Sequence, residues 1–447
     1  MIAATLAATV LGMPAAALAQ TAKEVELEKR VAELEKMVQQ LVAEKGAKPA
    51  AAAPAAAPAA TAAAAAPAKP AAAPIQGVSI TPNAAPNTTF LLTGFVKADA
   101  LWTNTSDGEL ADNSVGRDFY VPSTIPIGSP AADEGTDLNA HVKQSRVNFG
   151  TDTILADGNK LSTRFEIDFF GSVTGDQRIS NTYAPVLRHA YVTWHEWLVG
   201  QTWSNFMDVA TLPEAVDFIG TTDGTTFVRQ PQVRYTKGGF SMSAENRETT
   251  LLPYSTAGVA GARIVSDDGM YPDLTARYAW KGKWGHFAVA GLLRELTHET
   301  STIDDATWSG ALSLSGKFNF GKDDIRWMAL YGNLGRYVAL NFATDAVLDA
   351  NGNLDAVDGY AGFIAYRHMW TDKLRSTVSY ALESYDYDSI LGNSTANASS
   401  DSWTVNIFYS PIPKLDVGAE YRHASAEREN GDDGDLDRVQ LTTKYSF

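Results

Sequence analysis

The chain of 447 residues has no cysteine. This excludes disulfide scaffolds, thiol nucleophiles and thiolate metal sites. Beyond its N-terminus it also lacks any run of about 18 apolar residues, which excludes spanning a membrane with helices. Positive charge is in deficit: 36 Lys and Arg stand against 52 Asp and Glu, for a formal net charge of −16. Nucleic-acid phosphates are bound by basic surface, so no nucleic-acid partner is expected. The seven histidines are His141, His189, His195, His286, His298, His368 and His423. They show neither metal-ligand spacing nor a nucleophile motif and are expected mostly at rims, so neither an enzyme nor a cofactor is implied.

What the chain does contain is 45% hydrophobic residues, among them 17 Tyr, 18 Phe and 10 Trp. Such a composition suits a soluble β protein, and it equally suits a transmembrane β-barrel. In a barrel, lipid-facing and lumen-facing residues alternate and average out, while aromatics gather in girdles at the membrane interfaces.

Four segments follow one another. Residues 1–19 read as an export signal. Ile2 to Leu11 are apolar or small, and Ala17-Leu18-Ala19 forms a small-x-small cleavage site before Gln20, although a basic start is missing. Residues 20–45 read as a short coiled-coil stalk, with Leu27, Val31, Leu34, Val38 and Leu41 at heptad spacing. Fewer than three heptads do not stand alone, so the stalk would assist an oligomer that something else enforces. Residues 46–89 are an Ala-rich linker in which Pro54, Pro58, Pro67, Pro70 and Pro74 prevent helix. Residues 90–447 read as an all-β, antiparallel transmembrane barrel.

About sixteen alternating segments fill this last region, starting near Phe90, Ala140, Lys160, Pro185, Trp197, Phe227, Phe240, Tyr271, Trp284, Trp308, Asp324, Val357, Lys373, Asp401, Lys414 and Leu436. Tight connections such as Lys281-Gly282-Lys283 alternate with long acidic ones, as the two rims of a barrel require. The last segment is the clearest. Val439, Leu441, Thr443, Tyr445 and Phe447 would face lipid, and Arg438, Gln440, Thr442, Lys444 and Ser446 would face water. Its aromatic end, Tyr445 and Phe447, resembles the signal read by the outer-membrane barrel assembly machinery. Outer-membrane lipid and lipopolysaccharide would then be its surroundings.

Arginine recurs on the polar side of these segments, at Arg146, Arg164, Arg277, Arg326, Arg375, Arg422 and Arg438, with Lys97, Arg188 and Arg234 as further candidates. A charge facing lipid at midplane costs about 2–4 kcal/mol, so the lumen is their natural place. A basic wall favours anions. The acids concentrate in loop-like stretches (107–118, 133–137, 267–273, 345–358 and 432–437), which predicts an acidic outer vestibule. The connection from Ser204 to Thr226 is unusually apolar for an exposed loop and is expected to fold inward as a constriction. Phe206, Asp208, Glu214 and Asp217 are its candidate residues.

These residues carry a resemblance. Gly94-Phe95-Val96-Lys97-Ala98-Asp99, Ser145-Arg146, the stretch 165–171, Leu187-Arg188-His189-Ala190-Tyr191 and the run from Gly200 to Asp208 resemble the DcaP-like outer-membrane porins. The likeness covers most of the barrel and is strongest from residue 90 to about 236. It implies a homotrimer of sixteen-stranded barrels with an N-terminal coiled coil in the periplasm. It also implies diffusion of small anionic solutes, dicarboxylates among them, past a basic constriction. On that resemblance Lys97, Arg146, Arg164, Arg188 and Arg234 would mark the solute path. Two other readings stay open: a porin for neutral sugars, with Phe95, Trp203 and Phe408 along the lumen, and a plugged barrel that tethers the envelope.

Overall fold

A computed structural model describes residues 29, 36 and 87–447, apart from 129–133, 172–174, 176, 255–258 and 388–393. The chain divides into Met1–Thr81 and Pro82–Phe447. Of the first unit only Lys29 and Lys36 are described, both helical. The expected leader, the stalk apart from these two residues, and the linker up to residue 86 therefore lie outside the described residues.

Period-two alternation dictates strands, and those described are β1 (Thr88–Thr105), β2 (Gly135–His141), β3 (Arg146–Ile154), β4 (Lys160–Asp168), β5 (Val186–Trp194), β6 (Trp197–Trp203), β7 (Arg229–Lys237), β8 (Phe240–Glu245), β9 (Thr249–Pro253), β10 (Ile264–Ser266), β11 (Asp273–Gly282), β12 (Gly285–Glu299), β13 (Asp304–Phe320), β14 (Asp323–Gly332), β15 (Ala346–Leu348), β16 (Leu354–Ala356), β17 (Asp358–Met369), β18 (Leu374–Asp386), β19 (Asn397–Ile412), β20 (Leu415–Arg428) and β21 (Asp433–Ser446). Seventeen of them form one antiparallel sheet, and β9, β10, β15 and β16 form a separate small one. β1 pairs with β21 from Phe95↔Ser446 to Thr105↔Leu436, which closes the sheet into a barrel. β2 and β3 pair with successive halves of the other edge of β1 and occupy one position in the wall, so the barrel has sixteen strands. Closure leaves no edge carrying unpaired N–H and C=O groups in hydrocarbon. The last residue takes part: Phe447 N donates to Gly94 O at 3.0 Å and its own carbonyl accepts from Gly94 N at 3.3 Å.

The alternation read from the last strand holds. Val439, Leu441, Tyr445 and Phe447 are exposed on the outer face, while Arg438, Gln440 and Thr442 are buried inside. Aromatics mark the rim of short turns: Trp194 and Trp197 flank one turn, Trp280 and Trp284 another, and Phe320, Trp370 and Phe447 continue the band. Several are braced by neighbours, such as Trp197 on Tyr235 at 5.1 Å and Trp284 on Phe318 at 5.7 Å. These are the amphipathic rings that settle at a membrane interface.

At the other rim, where an acidic vestibule is expected, the connections also carry apolar packing. Three connections turn into the barrel mouth and bury apolar residues there, among them Tyr120 from 106–134, Phe206 from 204–228, and Leu334, Tyr337 and Phe342 from 333–357. Acids expected at the surface are consumed in this packing. Asp118 pairs with Lys143 at 2.7 Å, Asp137 with Arg117 at 2.5 Å, and Asp345 with Arg294 at 2.6 Å. Arg294 and Asp345 are both inaccessible, and Asp273 joins them, 3.3 Å from Arg294 and 2.6 Å from Arg336. The small sheet sits above this network, with β9 antiparallel to β10 and parallel to β15. Removing one member of a buried ion pair leaves a bare charge and costs about 3–5 kcal/mol. Arg294→Met is therefore expected to lower the thermal unfolding midpoint of the detergent-solubilised barrel. A midpoint unchanged within error would show that the 333–357 segment is not held by this pair.

Candidate functional site: the lumen beneath an inward loop

The fifth wall strand, β6, leads into the connection 204–228, and this connection folds inward as its apolar sequence predicts. Phe206, Met207, Val216 and Ile219 are buried at 1%, 1%, 0% and 3% exposure. Most of its polar groups are met by side chains of the wall. Asp208 receives Arg277 at 2.8 Å, His286 at 2.8 Å and Ser315 at 2.9 Å. The Leu212 carbonyl accepts from Arg326. Glu214 pairs with Arg375 at 2.6 Å, and its carbonyl accepts from Asn406 at 2.9 Å. Val216 N donates to Glu420 at 2.8 Å, while its carbonyl accepts from Lys97 Nζ at 2.6 Å. Asp217 lies 3.5 Å from Arg422, which also donates to the Gly220 carbonyl. Asp223 accepts from Tyr120 at 2.7 Å and Ser400 at 2.8 Å.

The arginines placed in the lumen by alternation are there, and the contacts divide them. Lys97, Arg422 and Arg438 are only 4%, 2% and 2% exposed. Lys97 also pairs with Asp99 at 3.1 Å, and Arg438 donates to Thr103 at 2.8 Å and the Gly116 carbonyl at 2.6 Å. These three are buried among the loops they hold, and Arg188, also only 2% exposed, is held by the wall carboxylates Glu166 and Asp168. Arg146, Arg164, Arg277, Arg326 and Arg375 keep side-chain exposures of 18%, 24%, 18%, 16% and 13%. Arg234 is half-buried, donating to Gln232 at 2.8 Å and to the Trp203 carbonyl.

A compact cluster forms where β3, β4 and β5 meet the inward loop. A register shift between β4 and β5 pairs Glu166 with His189 and Ile167 with Leu187, so Arg188 is the extra residue of a bulge. Bulges re-aim side chains, and here Arg188 and His189 both reach Glu166, at 2.8 and 3.7 Å. Arg188 also pairs with Asp168 at 2.7 Å, and Arg146 with the same carboxylate at 3.2 Å. Phe95 lies 5.2 Å from Arg146, and Phe218 of the loop lies 5.3 Å from Arg188. Arg229, which sequence reasoning missed, lies 5.0 Å from the Trp203 ring, within electrostatic reach of Arg188 and Arg146. Strict alternation puts Arg229 on the outer side of β7. It joins the cluster because its strand begins where the chain leaves the inward loop.

Other readings can be placed as well. Phe95, Trp203 and Phe408 each lie against a guanidinium, the last 5.0 Å from Arg375. Four of the histidines expected at rims, His141, His189, His286 and His298, point inward: three are buried, and His189 bonds Thr202 at 3.1 Å.

The model of the family described as DcaP outer membrane protein matches residues 82–447. The chain belongs to this family. Its members are outer-membrane channels, and the closed barrel and family together place the chain in the Gram-negative outer membrane. Among solved structures, the outer membrane channel DcaP of Acinetobacter baumannii is similar at 25% identity, with a TM-score of 0.65, over 81% of this chain and 98% of that one. OmpT of Vibrio cholerae aligns at 11% identity and a TM-score of 0.49, over 82% and 99%. No curated protein matches the sequence.

One glycine tests the loop's seat. A Cβ on Gly224, near the loop's end, would collide with the backbone of Gly362 on β17. Gly224→Val is expected to lift the loop from the wall and raise single-channel conductance by a measurable step over the parent. Unchanged conductance would show that the loop does not limit the pore.

Proposed function

We propose that this DcaP-family barrel is a passive porin with a preference for small anionic solutes, dicarboxylates among them. One observation carries the reading: Arg146 and Arg188 both bind the two carboxylates Glu166 and Asp168, and a third guanidinium, Arg229, packs on the same Trp203 ring as Arg188, within electrostatic reach of the group. The local excess of positive charge sits in a confined, partly dehydrated site, where it raises anion occupancy and repels cations. A carboxylate solute would exchange part of its hydration for the planar donors of an arginine. Release stays possible because Glu166 and Asp168 already occupy most of those donors.

A trimer is part of the same proposal. β6 and β8 have seven and six residues, against fifteen and seventeen in β12 and β13. Tilted strands of six or seven residues rise roughly 14–16 Å, short of the roughly 25 Å apolar band of an outer-membrane barrel. This low wall needs protein beside it, and a second and third copy would supply it. In this reading residues 20–45 lie on the periplasmic side and assist the assembly.

The test is the reversal potential of the purified protein in a planar bilayer under a KCl gradient, with a dicarboxylate then added to one side. An anion-directed potential with current block is expected, and Arg146→Glu and Arg164→Glu should each reduce it without preventing assembly. A cation-directed potential in the parent, or unchanged selectivity in both variants, would overturn the reading.

A further inference from the structure

A second group of cations lies on another part of the wall, near the rim of short turns. β13 and β14 are joined there by the tight turn at Gly321 and Lys322. Just above it, Lys317 and Arg326 stand directly opposite each other in register, both pointing inward. Like charges directly opposite on an antiparallel pair are destabilising. On the next strand Arg367 stands opposite Asp324. Asp324 is the carboxylate all three cations share: Lys317 at 3.5 Å, Arg326 at 2.7 Å and Arg367 at 2.5 Å. Three positive groups against one negative leave an excess of two charges. Asp208, the nearby loop carboxylate, is already matched by Arg277.

The three cations are not sealed. Lys317 and Arg367 retain 26% and 25% side-chain exposure and Arg326 16%, while Asp324 beneath them is 1% exposed. Arg367 Nε is buried with no hydrogen-bond partner. A buried donor without an acceptor is costly, and an anion supplies one. A strand pair with opposed like charges, a spare donor and a surplus of two charges is therefore suited to a doubly charged guest.

From this we infer that Lys317, Arg326 and Arg367 form a second anion station, on the short-turn side of the inward loop, that takes a small doubly charged oxyanion. The inference deepens the anion-channel reading and rests on it. With the Arg146 cluster it gives the lumen two anion stations. An anion leaving one would be received by the other, and neither need hold it tightly.

Sulfate is the probe. In planar bilayers with a KCl background it is added to each compartment in turn. Orientation is read with a charged thiol reagent on Lys322→Cys, a unique thiol at the short-turn rim because the chain has no cysteine. Sulfate is expected to block the parent at several-fold lower concentration from the short-turn side than from the other. In Lys317→Gln/Arg367→Gln the half-blocking concentration from that side should rise about tenfold, and Lys317→Arg should retain the parent value. If the double variant does not assemble, Lys317→Gln alone should give a smaller rise in the same direction. Equal block from both sides in the parent, or an unchanged half-blocking concentration in the assembled variants, would overturn the inference. The KCl reversal potential of the same channels separates the two claims: anion-directed potentials without sided block reject the second station alone, whereas cation-directed potentials reject the anion preference itself.

Discussion

Backbone N–H and C=O groups cannot face hydrocarbon unpaired, and the pairing of β1 with β21 is what meets that constraint here. Everything else is arranged around a closed cylinder with a polar inside. Once the outer face must be apolar, every second residue is free to carry charge, and within the membrane-spanning strands the inner face is where arginines cost least. The chain then spends most of them on holding loops. Arg277, Arg326, Arg375 and Arg422 come from four different strands, and each binds a carboxylate or carbonyl of the same inward loop.

That division of labour shows where part of the acidic excess of a protein of net charge −16 is placed. Acids such as Asp208, Asp217 and Asp345 are buried beside their partners, where they anchor inward segments. Two inward connections also brace each other: Phe227 N donates to the Tyr337 carbonyl at 2.8 Å and Ala339 N to Thr225 at 3.2 Å. Ala339, Leu340 and Asn341 all have positive φ. Left-handed backbone costs such residues roughly 1–2 kcal/mol each, which the packing on both sides of this turn must offset.

Much of this was legible in the sequence, because a period of two is local. Strand starts read at Lys160, Trp197 and Phe240 coincide with those of β4, β6 and β8, and the inward loop was betrayed by its apolar residues. Starts were read late at Trp308, Asp401 and Leu436, where β13, β19 and β21 begin at Asp304, Asn397 and Asp433. The first residues of these strands, Asp304-Asp305, Asn397 to Ser400 and Asp433 to Asp435, lack the apolar alternation. Partners were not legible. Val216 and Glu420 are 204 residues apart, and nothing local joins Arg375 to Glu214. Arg229 was hidden by alternation itself. Lys317 and Arg367 lie close to strand ends, where a charge reads as an ordinary rim residue.

The central claim is that the 204–228 connection is a fixed part of the lumen wall, and amide hydrogen exchange of the assembled protein tests it most directly. The account predicts that the amides of Val216, Thr225 and Phe227, bonded to Glu420, Thr222 and Tyr337, exchange as slowly as those of the barrel strands. Exchange as fast as at the exposed turn residue Gly321 would contradict it.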